Sequence, residues 1–168
     1  MKGFQSGWYL IYTMPRHEKK VHAHLTSRKI DSFLPTQKKL RNWHDRKRII
    51  DEPLFPSYVF IYLTDMQGYY AGLDAEGSLY YIKTGKEIAR VSDTVIANLK
   101  LAAAQAQDIE VSDERFLPGR RLLIGQGSLT GLYCEVVQYH GKSKLLVRVD
   151  LLQRNLLLSL PQEYLVAM

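Results

Sequence analysis

Apolar residues in this chain fall into short blocks whose spacing alternates between strand and helix. Trp8-Tyr9-Leu10-Ile11-Tyr12 is apolar at every position, the pattern of a strand buried on both faces. Pro15 suits the first turn of a helix, with Thr13 as its cap, and the helix is expected to run to about Lys29. Val21 and Leu25 lie four apart on it, and His17, His24 and Arg28 extend the same stripe. Ser32-Phe33-Leu34-Pro35 begins a second strand that continues toward Leu40, and a polar, basic turn follows. Ser57–Leu63 is again apolar at both parities. Asp65 or Thr64 caps a short helix through Leu73, Leu79-Tyr80-Tyr81-Ile82 is a further strand, and Ser92-Asp93 opens a helix with Val95, Ile96, Leu99 and Ala103 at helical spacing.

The resulting order, β-α-β-β-α-β-α, is that of split βαβ units, an antiparallel sheet packed against helices in an α+β fold. Residues 107–117 are polar and acidic and read as a linker, with Pro118-Gly119 as the boundary. Beyond it come short strands at Arg121–Ile124, Tyr133–Tyr139, Lys144–Val149, Leu156–Leu160 and Tyr164–Val166, with Gly125, Gly127, Gly131 and Gly141 marking turns. Five such strands in so short a stretch fit a small all-β barrel. The expected organisation is therefore an α+β domain over 1–106, a linker over 107–117 and a small barrel over 118–168. The C-terminal valines (Val136, Val137, Val147 and Val149) favour strand over the helix that the leucine-rich 151–158 stretch could support.

Charge changes this picture from a fold to a surface. Residues 1–50 hold 12 Lys/Arg against 3 Asp/Glu, whereas residues 51–117 hold 5 against 11. A basic N-terminal third points to a polyanion, the alternative being a solvated face kept for solubility. Lys38, Lys39, Arg41, Arg46, Lys47 and Arg48 crowd around Trp43 and His44. If that turn is a hairpin, its tip can hold a phosphate backbone without reading sequence, and Trp43 can stack on an unpaired base. The alternative for Trp43 is packing against a sheet edge.

Other chemistry is thin. His17-Glu18 with His22 looks like a zinc-protease motif, but histidines five apart lie about 140° round the helix and share no face. Cys134, the single cysteine, allows no internal disulfide and no cysteine-built zinc site and reads as a buried thiol. No P-loop, dinucleotide fingerprint or compact carboxylate motif appears, so neither an enzyme nor a cofactor is expected. Trp8–Tyr12 is too short for a secretory signal, and no apolar run reaches the ~20 residues of a membrane span. A cytoplasmic protein without a membrane partner is expected.

Several motifs in order resemble the NusG family of transcription elongation factors: W-Y-L-I-Y-T-x-P-R-x-E at Trp8–Glu18, F-L-P-T at Phe33–Thr36, F-P-S-Y-V-F-I at Phe55–Ile61, Y-Y-I-K-T-G at Tyr80–Gly85 and G-S-L-T-G-L at Gly127–Leu132. The resemblance covers nearly the whole chain and implies an N-terminal NGN domain and a C-terminal KOW barrel. Glu52–Tyr58 resembles the RfaH pattern and Trp43–Lys47 the UpxY-like antiterminators, which implies a specialised paralogue acting at surface-polysaccharide operons. Glu76 stands where the RfaH pattern has an arginine, and Tyr69-Tyr70-Ala71 replaces its His-Thr-Thr turn.

By that resemblance an apolar face made of Tyr12, Phe55, Pro56, Tyr58, Phe60, Ile96 and Leu99 docks on the β′ clamp helices of RNA polymerase. The basic turn holds the nontemplate DNA strand, with Arg16, Lys19, Lys20 and His24 of the first helix as further nucleic-acid contacts. The KOW barrel meets termination factor Rho or a small-subunit ribosomal protein through Leu151, Leu152 and Leu156, and the protein is expected to be a monomer. The residues themselves leave one point open. Tyr58 and Phe60 share one strand parity and Val59 and Ile61 the other, and either pair could be the core. A ribosome-associated KOW protein that binds structured RNA is the rival reading.

Overall fold

The computed structural model describes residues 4–106 and 108–160, and the chain divides into two compact units at Asp93/Thr94. The first unit runs β1 (Gly7–Thr13), α1 (Glu18–Ser27), β2 (Ser32–Phe33), β3 (Thr36–Trp43), β4 (Arg46–Pro53), β5 (Tyr58–Leu63), α2 (Met66–Asp74), β6 (Ser78–Tyr81), β7 (Lys83–Thr84), β8 (Glu87–Ile88) and β9 (Arg90–Val91). Its main sheet has the order β2-β5-β1-β6, with β9 also paired to β1. The paired strands are antiparallel.

Strand parity sorts the two faces. Tyr9 and Ile11 of β1 and Val59, Ile61 and Leu63 of β5 form one core with Val21 and Leu25 of α1, Ala75 and Tyr81. Helix α2 lies so close to this face that a Cβ at Gly72 would sit 2.2 Å from the Tyr81 hydroxyl and 3.1 Å from both Ile11 and Ile61. That hydroxyl donates to the Tyr69 carbonyl at 2.8 Å, the Tyr69 and Tyr81 rings stack at 4.6 Å, and burial pushes the Tyr81 phenol pKa up.

Helix α1 begins later than the apolar pattern predicts. Arg16 takes a left-handed φ of 65°, so the helix cannot run through it and starts at Glu18. Thr13 stays in β1, fully buried, and is not a cap. The strand expected from Ser32 to Leu40 is broken at Leu34-Pro35, where the Pro35 carbonyl instead accepts from Leu54 N at 2.8 Å. At α2 the cap is Asp65, whose carboxylate accepts from Gly68 N at 2.8 Å.

The second unit holds α3 (Asp93–Gln105, starting one residue before the division), β10 (Ile109–Ser112), β11 (Arg120–Leu123), β12 (Tyr133–Tyr139), β13 (Lys142–Val149) and β14 (Arg154–Ser159), with a 3-10 turn at Asp150–Leu152. Its five strands form one antiparallel sheet in the order β10-β14-β13-β12-β11.

One expectation changes here. The acidic linker contains a strand, because Ile109–Ser112 pairs with Leu158–Asn155 through backbone bonds that polar side chains do not forbid. Helix α3 falls in this second compact unit from Thr94 onward. There the Asn98 amide exchanges two hydrogen bonds with the Tyr133 backbone, at 2.9 and 3.0 Å. The strand expected at Tyr164–Val166 lies outside the described residues.

One polar cluster braces this sheet. The Glu135 carboxylate accepts from Arg148 Nε at 2.6 Å and from Gly119 N at 2.9 Å, while Arg148 also donates to the Phe116 carbonyl at 2.9 Å. These bonds, the Arg148 bond first, hold the Glu135 carboxyl below its usual value of 4.5. Cys134 is buried, and burial pushes its thiol up to about 11, away from thiolate chemistry.

Candidate nucleic-acid and protein interfaces

The basic turn is a two-stranded ribbon of its own, hydrogen-bonded to no other strand among the described residues. β3 and β4 pair over eight rungs from Thr36↔Pro53 to Trp43↔Arg46, with His44-Asp45 as the turn. Residues directly opposite share a face, so the register divides the basic residues. One face carries Trp43/Arg46, Arg41/Arg48, Lys39/Ile50 and Gln37/Glu52. The other carries Asn42/Lys47, Leu40/Ile49 and Lys38/Asp51.

The structure thus brings Lys39, Arg41, Arg46 and Arg48 together with Trp43 and places Lys38 and Lys47 on the opposite side. Successive rungs of one face lie about 6.8 Å apart along the ribbon. Trp43 is 48% exposed, so it is not packed under a sheet edge, and the Arg46 guanidinium carbon lies 5.8 Å from its ring centre. Glu52 is the one carboxylate on this face. It accepts from Arg41 Nε at 2.7 Å and from Arg41 Nη2, and lies 3.5 Å from Lys39 Nζ. The Arg41 hydrogen bonds, chiefly, hold its carboxyl below the usual carboxylate value.

Arg16, Lys19 and Lys20 are exposed, as a nucleic-acid role requires. His24 is half-buried and its Nε2 is shielded from solvent with no hydrogen-bond partner in the described structure, so it is poorly placed to meet phosphate. Among the described residues no three of His, Cys, Asp and Glu cluster as a metal site would need.

The apolar surface left open by the residues expected to dock is smaller than the sequence predicts. Val59 and Ile61 belong to the helix-covered core, so Tyr58 and Phe60 point to the second face of the sheet. Phe60 is nevertheless fully buried, opposite Leu10 in the ladder and 6.0 Å from the Phe33 ring. Phe55 is 3% exposed, and Ile96 and Leu99 lie on the buried stripe of α3. All four side chains are buried here.

What remains accessible is a tyrosine strip across β5, β1 and β6. Tyr12 meets Tyr58 edge-on at 5.4 Å and stacks with Tyr80 at 5.2 Å, and Tyr80 is 53% exposed. Pro56 is exposed beside it in sequence. Tyr80 sits in a block apolar at every position, and only the register to Tyr12 shows which way it faces.

The turn bearing Pro56 is fastened from below. Ser57 takes a left-handed φ of 71°, a conformation that costs about 1 kcal/mol or more in a non-glycine residue. Its N–H donates to the buried Glu18 carboxylate at 2.8 Å and its carbonyl accepts from Thr13 N at 2.8 Å. A hydrogen bond to a charged group contributes about 1.5–3 kcal/mol, enough to hold that strain.

In the second unit, Leu151 and Leu152 are half-buried in the 3-10 turn. Leu156 is fully buried in β14, between Val147 and Val111 in the ladders, and cannot be a surface contact as the structure stands.

Comparison with known proteins agrees with the motifs. A family model described as NusG, transcription termination factor nusG, matches residues 6–100. A solved structure described as domain interaction in Thermotoga maritima NusG is 17% identical, covers 92% of this chain and 93% of its own, and superposes with a TM-score of 0.51, which shows a shared fold. The MjSpt4:Spt5 complex in its conformation A is 13% identical, covers 82% of this chain and 83% of its own, and has a TM-score of 0.31, too slight a likeness to carry weight.

Proposed function

The chain belongs to the NusG family, and we propose that it is a transcription elongation and antitermination factor that joins RNA polymerase to the nontemplate strand of the transcription bubble. The observation that carries this reading is the sorted ribbon: four cations and an exposed tryptophan on one face of a hairpin hydrogen-bonded to no other strand among the described residues. Cations spaced by rungs suit a phosphate backbone, and an exposed indole suits an unstacked base, so the ligand is single-stranded.

The polymerase partner is the pair of β′ clamp helices, received by the tyrosine strip of Tyr12, Tyr58 and Tyr80 with Pro56. Aromatic anchors with few charges are the composition of an interface hot spot. The C-terminal antiparallel sheet supports a KOW module, with Leu151 and Leu152 offered to Rho or to a small-subunit ribosomal protein. The Glu52–Tyr58 and Trp43–Lys47 motifs favour the specialised role at polysaccharide operons.

The test is binding of the full chain to a core elongation complex. Tyr58→Ser with Tyr80→Ser is expected to abolish binding while the protein stays folded, and unchanged binding would refute the docking surface. A ribosome-associated RNA-binding protein would instead bind structured RNA and ignore polymerase. Chromosomal occupancy confined to a few long operons is expected, and uniform coverage would refute the specialised role.

A further inference from the structure

We propose that Glu52 is a built-in competitor for phosphate that masks half of the cationic face of the hairpin, so that nucleic acid engages it fully only by displacing this carboxylate. The inference rests on the nucleic-acid reading of the ribbon and names the residue that sets its strength. The register puts Glu52 on the same face as Arg41, Arg48, Arg46 and Lys39, at the base of the ladder. Its Oε1 takes both Nε and Nη2 of Arg41, the forked edge of the guanidinium that a phosphate would take. Its Oε2 faces Lys39 Nζ.

The asymmetry of exposure fits a mask. The Arg41 and Lys39 side chains are 52% and 49% exposed, whereas that of Glu52 is 21% exposed. The cations reach outward and the carboxylate sits behind them. Arg46 and Arg48 have no acidic partner within ion-pair distance among the described residues. The face therefore has two unmasked cations, Arg46 at the tip and Arg48 one same-face rung further in, and two masked ones, Arg41 directly opposite Arg48 and Lys39 nearer the base. A strand laid on this face gains Arg46, Arg48 and Trp43 at once, and gains Arg41 and Lys39 only by exchanging one anion for another. Such an exchange lowers affinity for stray nucleic acid and leaves a longer grip to a strand already held in place.

The experiment is fluorescence anisotropy of the full chain with a labelled oligo-dT single strand, over a series of salt concentrations. Glu52→Gln is expected to tighten binding about three- to tenfold at low salt, the scale of an exposed ion pair network, and to steepen the salt dependence by about 0.7 per cation released. In a Lys39→Gln, Arg41→Gln background the same Glu52→Gln change is expected to give no gain. Weaker or unchanged binding by Glu52→Gln would overturn the mask, as would an equal gain in that background, which would mark only a general charge effect. Arg46→Gln with Arg48→Gln separates the two levels. If that pair leaves wild-type binding unaltered, the nucleic-acid reading falls and the mask with it. If that pair weakens binding while Glu52→Gln changes nothing, the mask alone falls.

Discussion

The first unit contains two long antiparallel ladders of opposite character. β1 and β5 pair over six rungs from Gly7↔Leu63 to Tyr12↔Tyr58, and Leu10, Ile11, Val59, Phe60 and Ile61 along them are fully buried. β3 and β4 pair over eight rungs, and most of their residues are exposed. Backbone pairing is common to both, so it cannot be what separates them. The β1–β5 ladder draws its stability from apolar burial on both faces. The β3–β4 ladder has little burial to lose, and most of its side chains face solvent. One ladder is fold, the other is surface.

The difference is open to direct attack. The largest effect is expected at Phe60, where substitution by Ala should cost about 3–5 kcal/mol in urea unfolding. The matching change in the ribbon, Trp43→Ala, should alter stability by under about 0.5 kcal/mol. A large loss at Trp43 would mean that the ribbon too is held by packing.

Next comes the bracing cluster of the second unit. Arg148→Met strands the Glu135 carboxylate and frees the Phe116 carbonyl, for an expected loss of about 2–4 kcal/mol. Because the folded-state pKa of Glu135 is lowered, its contribution is present above the usual value of 4.5 and is lost as pH falls through the lowered one. Acid titration of stability should show that loss in the native protein and much less of it in Arg148→Met.

Gly72→Ala improves helix propensity yet should destabilise by about 1–3 kcal/mol, since the new Cβ meets the buried, hydrogen-bonded Tyr81 hydroxyl. A stabilised variant would show that α2 can lift from the sheet at little cost. The smallest effect on the fold and the clearest on binding is again Trp43→Ala, expected to weaken single-strand binding by about 1–3 kcal/mol with no loss of thermal stability.

Much of the fold is legible in the chain because strands, helix stripes and turn residues sit where local chemistry wants them. β12 follows its pattern to the residue, and Asp65, one of the two expected caps, is the one that caps α2. The departures have physical causes. β10 is hidden because Glu110 and Ser112 make a backbone-paired strand look like a linker. The start of α1 is hidden because nothing in the residue type announces the left-handed Arg16. The candidate surfaces are legible in composition and not in arrangement. The basic cluster is plain in the sequence, but only the rung-by-rung register shows that Lys38 and Lys47 point away from Trp43. In β5 apolar residues at both parities conceal that Phe60 is packed and Tyr58 is half open.

The sharpest test compares two charge-matched pairs on the ribbon by crosslinking to the nontemplate strand of a reconstituted elongation complex. Arg46→Gln with Arg48→Gln removes two cations from the Trp43 face, and Lys38→Gln with Lys47→Gln removes two from the other. A one-faced grip predicts that the first pair loses most of the crosslink and the second keeps nearly all of it. Equal losses from both pairs would contradict it and leave the ribbon as no more than a basic surface.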